Sequence, residues 1–319
     1  MIFSKPDYNI ERRLTMNQLF KKSSSNWIRY DRYEWKTDEK GILYITPCKD
    51  ANPDLYNPLK EADDMVLSAI NLGLLCMKSE TSEDTLKSEI MKFIQSYGLL
   101  GFMTALPTTP EFIIYEAVYL PLNHFIKKES LTTEEYLSYF FPFEPISFIK
   151  KKRESYWEIT DIDMMAITMA LQNKPQAVNM SFQKEYAERY DWLVEEFKDW
   201  AFTFVTSFLY YQDFDVLDED QKRLYQQGMA AFGGIAPTYH VELLDRPTIV
   251  WDFHSLLLQI QMMFSFMLTD EKSSIKVCKH CGKAFIASRP NAEFCSPQCK
   301  NQYNVYKSRS KKSDTENDD

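Results

Sequence analysis

The stretch TIVWDFHSLLLQIQMMFSFML, residues 248–268, is the most apolar run in the sequence, and its reading decides the fold class. An uninterrupted apolar segment of this length would be a candidate membrane span. Asp252, His254, Ser255, Gln259 and Gln261 break it up, and each ionised group at mid-bilayer costs about 2.5 kcal/mol or more. The segment therefore reads as one buried amphipathic helix from about Thr248 to Leu268, introduced by Pro247.

Working outward, the body reads as helical. Thr238 to Leu243 alternates like a strand, and Phe232-Gly233-Gly234 marks a turn before it. From Phe182 to Tyr211, the residues Tyr186, Tyr190, Leu193, Phe197, Trp200, Phe204, Phe208 and Tyr211 recur every three or four positions. That spacing predicts one long helix with a broad aromatic face, which core packing explains without a cofactor. Asp161 to Gln172 reads as a Met-rich helix. Thr132 with Glu135 forms a capping box for a short helix through Phe140, stopped at Pro142. Phe141 to Pro145 and the run Lys150 to Arg153 read as a solvated link between two helical halves meeting near 142–155. From Pro58, the series Leu59, Ala62, Val66, Ala69, Ile70, Leu74 predicts a helix to about Lys78. Ser82 caps a second one with Leu86, Ile90, Phe93, Ile94 and Tyr97 on one face, ending at Gly98. The first 55 residues read as irregular except for a short strand, Ile42 to Ile45.

Composition agrees with a packed helical body. The 319 residues are 45% apolar and 15% aromatic, enough to fill a large core. Eight glycines against 22 Phe, 19 Tyr and 14 Met disfavour a turn-rich sandwich and glycine-dense nucleotide loops. The expected fold is mainly α with minor β: a large helical body over 1–271, a small C-terminal treble-clef-like zinc finger over 272–312, and a disordered acidic tail over 313–319. The N-terminus shows no basic region followed by an apolar core of the secretory type, so the expected location is cytoplasmic, where clustered cysteines ligate metal more often than they form disulfides.

Four of the six cysteines lie in CKHCGKAFIASRPNAEFCSPQC, residues 278–299. Cys278 and Cys281 are two residues apart, Cys295 and Cys299 three. Two such pairs across a short connector can chelate one tetrahedral zinc ion, with Gly282 supplying a permissive turn. Ser296 and Pro297 read as N-cap and first residue of a helix, placing Cys299 in its first turn. Lys283 to Ala287 is expected to form a hairpin, Phe285 with Phe294 a miniature core, and His280 to point outward without ligating. Four thiolates leave no coordination position for water, so the zinc is expected to be structural. Cys48 and Cys76 read as core residues.

Charge divides the chain. Residues 272–312 carry ten Lys/Arg against Glu293 alone, whereas residues 1–271 are net −14. On the helix after Cys299, Lys300, Asn304, Lys307 and Lys311 fall on one face, flanked by Arg309 and Lys312, with Tyr303 and Tyr306 on an adjacent stripe. A rigid helix with cations along one side suits a nucleic-acid backbone or groove.

The block C-x2-C-G-x2-F with F-C-S-x2-C-K-N-Q-x2-V-x3-R resembles the CGNR-type zinc finger, which closes bacterial proteins described as stress-induced transcription regulators, after a mostly helical ABATE domain. The resemblance covers about the last 35 residues; the name-giving tetrapeptide is here Cys299-Lys300-Asn301-Gln302, and Phe294 stands where a Trp is expected. It implies metal ligation by Cys278, Cys281, Cys295 and Cys299 and DNA contact by the following helix, including Asn301 and Arg309. The expected function is thus a zinc-finger DNA-binding regulator whose body senses a ligand or forms a homodimer; the alternative is a protein- or RNA-interaction adaptor. The chain carries no GxSxG, P-loop or HExxH pattern, its histidines at 124, 240, 254 and 280 are scattered, and the expectation is no catalytic residue.

Overall fold

The computed structural model describes residues 23–103, 117–119, 125–145, 184–212, 214–231, 237–253, 255–269, 274–287, 289 and 291–316. The predicted helix over 161–172, the Lys150 to Arg153 run, the 232–234 turn and His254 lie outside the described residues. So do 1–22, 270–273 and 317–319.

The chain opens with strands β1 (Ser23–Ser25), β2 (Trp27–Tyr30), β3 (Tyr33–Thr37), β4 (Leu43–Pro47) and β5 (Pro53–Tyr56). A 3-10 turn over Pro58–Glu61 leads into α1 (Ala62–Cys76), then α2 (Glu83–Tyr97). Next come β6 (Ala117–Tyr119), β7 (Ser130–Thr132), α3 (Thr133–Ser138), β8 (Glu188–Arg189) and α4 (Tyr190–Gln212). After a second 3-10 turn, α5 (Glu219–Ala231), β9 (Thr238–Leu243), β10 (Pro247–Asp252) and α6 (Leu256–Thr269) follow, and β11 (Ser274–Val277), β12 (Ala284–Ala287) and α7 (Pro297–Glu316) close the order.

This is an α/β mixture, which corrects the expectation of a mainly α fold. Among the described residues strands outnumber helices, in several small sheets ordered β1-β10-β9, β3-β4-β8, β2-β5, β6-β7 and β11-β12. The error has three local causes. All five strands over 23–56 are three to five residues long, too short for period-2 alternation to show, and β1 and β4 take partners far away in sequence. The decisive run 248–268 is two elements: Thr248-Ile249-Val250-Trp251 is β-branched and aromatic and pairs with β9 and, in parallel, with β1. The helix begins only after Ser255, whose Oγ accepts the N–H of Leu258 at 3.2 Å as an N-cap. Likewise the predicted helix over 182–211 starts at Tyr190, because Glu188–Arg189 pairs with β4 as a strand.

The helical hairpin stands where its caps predict. Ser82 Oγ accepts the N–H of Thr85 at 3.3 Å, and Gly98 ends α2 with φ of +90°. Thr132 Oγ1 caps α3 by accepting the N–H of Glu135 at 3.1 Å. The core sits between α1, α4 and α6 and the β2 strand: Trp27, Met65, Ile70, Phe197 and Phe264 are fully buried, and Phe204 stacks on Phe264 with centroids 3.6 Å apart. α1 and α4 touch at Gly73, where an added Cβ would lie 1.9 Å from the Phe197 carbonyl oxygen. The same apolar cluster extends to Ile275 and Ala284 of the β11-β12 hairpin, so the cysteine-bearing hairpin is seated on the body.

Candidate metal centre

Each half of the centre is built by local backbone chemistry. Cys278 leaves β11 and its N–H donates to the Lys283 carbonyl at 2.9 Å, while the Gly282 N–H donates to the Cys278 carbonyl at 2.9 Å. Gly282 sits at φ of +70°, in the left-handed region that glycine enters without strain, and this folds Cys281 back beside Cys278. The other half is a helix start. Ser296 Oγ accepts the Cys299 N–H at 3.2 Å, Pro297 opens α7, and Cys299 falls in its first turn, as the sequence predicts. Lys279 joins the halves: its N–H donates to the Glu293 carbonyl at 3.0 Å and its Nζ meets Glu293 Oε1 at 2.5 Å.

The result is that all four sulfurs lie within 4.8 Å of one another and could hold one metal ion. Cys281 Sγ is 3.7 Å from Cys295 Sγ, and Cys295 Sγ is 3.5 Å from Cys299 Sγ. Thiolates about 2.3 Å from a tetrahedral ion stand about 3.8 Å apart, so the donor set fits. Burial works to raise the Cys278 thiol, but N–H groups of Cys281, Cys295 and His280 directed at its sulfur bring it down to about 6. Cys295, by contrast, is pushed up to about 12 by burial and by the neighbouring sulfurs. Four sulfurs this close cannot all ionise by themselves; a cation among them is what would let them. His280 is outside the sulfur cluster and stacks on Tyr306, centroids 5.8 Å apart.

Phe285 lies on β12, and Phe294 lies just ahead of α7. Phe294 packs against Tyr303 of α7 at 5.2 Å. Phe285 instead shares a hairpin face with Lys276, across from the face that turns Ile275, Ala284 and Ile286 to the body core.

A residue outside the finger fixes it in place. Asn71, on α1, accepts the Ala284 N–H at 2.7 Å through Oδ1 and donates through Nδ2 to the Ala284 carbonyl at 3.1 Å. One amide thus mimics a neighbouring strand. Beside it a cleft of about 570 Å³ is walled by α1, α2 and the knuckle residues Cys281, Gly282 and Lys283. No periodic or motif signal marks Asn71 in the sequence.

Of the residues expected to touch nucleic acid, Lys300, Asn301, Asn304, Lys307 and Arg309 are exposed on α7. Lys311 and Lys312 continue the same helix, which runs through Glu316. Only Cys299 and Tyr303 of the residues 297–309 are partly covered. A second polar cluster joins His240 and Glu242, which the alternation of 238–243 puts on one strand face, to Asp252, which the sequence places on a helix. On β10 it is buried and receives His240 Nδ1 at 2.7 Å, while His240 Nε2 is 3.5 Å from Glu242.

No family model, no curated protein and no solved structure matches this chain. Among the described residues no helix is long and apolar enough to cross a membrane.

Proposed function

We propose that the chain is a DNA-binding regulator in which Cys278, Cys281, Cys295 and Cys299 hold one structural zinc ion and α7 contacts duplex DNA. The observation that carries this reading is that α7 leaves the sulfur cluster with Lys300, Asn304, Lys307 and Arg309 exposed, while the rest of the protein is strongly acidic. An all-thiolate tetrahedral set suits zinc and leaves no open position for catalysis. The acidic body would repel a polyanion, which confines contact to the finger. The CGNR-like spacing in residues 278–309 supports the same reading, and the Asn71 clamp holds the β12 strand of the finger against α1, beside the cleft.

The test is electrophoretic retardation of duplex DNA by the full-length, zinc-loaded protein across a salt series. Each phosphate contact contributes a slope of about −0.9 in log K against log salt. Charge reversal of Lys300, Lys307 and Arg309 together is expected to abolish retardation while leaving the zinc content unchanged. Retention of full affinity by that variant would refute the DNA role of α7.

A second reading rests on Val305 and Tyr306, which are apolar and exposed on the same helix. They favour a protein- or RNA-interaction adaptor, and that reading wins if the loaded protein ignores DNA but binds a partner through a surface lost in Val305→Asp.

A further inference from the structure

Strand β9 is built inside out. Its apolar residues Tyr239, Val241 and Leu243 are 63%, 64% and 78% exposed, while His240 and Glu242 occupy the more covered face beside buried Asp252. The neighbouring strand adds to the apolar side: Trp251 is paired with Tyr239 and Ile249 with Val241, and the Tyr239 and Trp251 rings meet edge to face at 5.8 Å. Among the described residues β9 is also the edge of its sheet. A six-residue edge of high β propensity, without Pro, Lys or Gly to blunt it, is a template for another strand.

We infer that β9 pairs edge to edge and antiparallel with the β9 of a second copy of this chain, about a two-fold axis through Val241. Three axes keep apolar residues on one face and overlap the strands well, and charge separates them. An axis at Glu242 sets two carboxylates directly opposite each other, which is destabilising. An axis at His240 sets the two imidazoles opposite each other and leaves Glu242 across from a Thr. The axis at Val241 places each His240 opposite the partner's Glu242, twice, and on the other face places Tyr239 opposite the partner's Leu243 and Val241 opposite the partner's Val241. Each Glu242 thereby faces an imidazole instead of a second carboxylate. The contact is isologous, as a two-fold dimer requires, and it joins two three-stranded sheets into one of six strands. It rests on β9 alone, independently of zinc or DNA.

The experiment is sedimentation equilibrium of the full-length protein, with Val241→Lys and Val241→Cys variants in parallel. The wild type is expected at twice the 37.7 kDa chain mass at micromolar concentration, and Val241→Lys at the single-chain mass with an unchanged circular dichroism spectrum. Residues facing each other in an antiparallel pair have Cα atoms about 4.5–5.5 Å apart, within disulfide reach. Under mild oxidation Val241→Cys should therefore give a covalent dimer, which neither the wild type nor Glu242→Cys gives. A monomeric wild type, a dimer that survives Val241→Lys, or cross-linking through Glu242→Cys in preference to Val241→Cys would each overturn the inference.

Discussion

A methyl group on Gly73 has nowhere to go. It would sit 1.9 Å from the Phe197 carbonyl oxygen and 2.6 Å from the Ala201 Cβ, so α1 and α4 would have to separate. Gly73→Ala is expected to destabilise the protein by about 2 kcal/mol or more, read as a lower urea midpoint, although alanine favours an isolated helix. Glu188 is the other residue on which much depends. Fully buried, it accepts N–H groups of Leu100 at 3.0 Å and Gly101 at 2.5 Å and the Tyr186 hydroxyl at 3.1 Å, pinning the chain that leaves α2. Burial outweighs these donors and pushes its carboxyl up to about 7 from the ordinary 4.5. A carboxyl raised in the folded state binds its proton more tightly there than in the unfolded chain. Its contribution therefore favours folding below pH about 4.5 and is lost as pH rises through 7, by up to about 3 kcal/mol. Glu188→Gln mimics the protonated acid, so the difference in stability between pH 5 and pH 8 should shrink in that variant; an equal pH slope in both proteins would contradict the assignment.

At the scale of elements, capping chemistry was legible in the sequence and strand pairing was not. Ser82, Thr132 and Ser296 each cap the helix expected of them, because a cap is a contact over three residues and needs no tertiary partner. Ser255 carries the same signal, yet the apolar run around it masked the break between β10 and α6. Ser255→Ala is accordingly expected to cost about 1 kcal/mol, measured by thermal unfolding, through loss of the α6 cap. The strands of the first 55 residues stayed hidden for a different reason. β2 is completed by β5, β4 by β8 and β1 by β10, and these partnerships are matters of topology that composition cannot report. The four cysteines were legible because chelation at short spacing is local, whereas Asn71 was not, since its partner Ala284 lies 213 residues away.

Over the whole molecule, the finger and the body share one apolar cluster, with Ile275 and Ala284 buried in it. The finger is thus expected to depend on the body as well as on metal: a 272–312 peptide, deprived of that cover, should load zinc more weakly than the full chain in a competition with a chromogenic chelator. Asn71→Ala should weaken loading in the full chain in the same direction, since the clamp holds the strand that carries the knuckle. The central claim is that four sulfurs share one ion, and native mass spectrometry of the full-length protein tests it most directly, combined with thiol titration before and after chelation. The account predicts one zinc per chain and two reactive thiols at most in the loaded protein, rising by four when the metal is removed. A folded, metal-free chain with all four finger thiols freely titratable would contradict it.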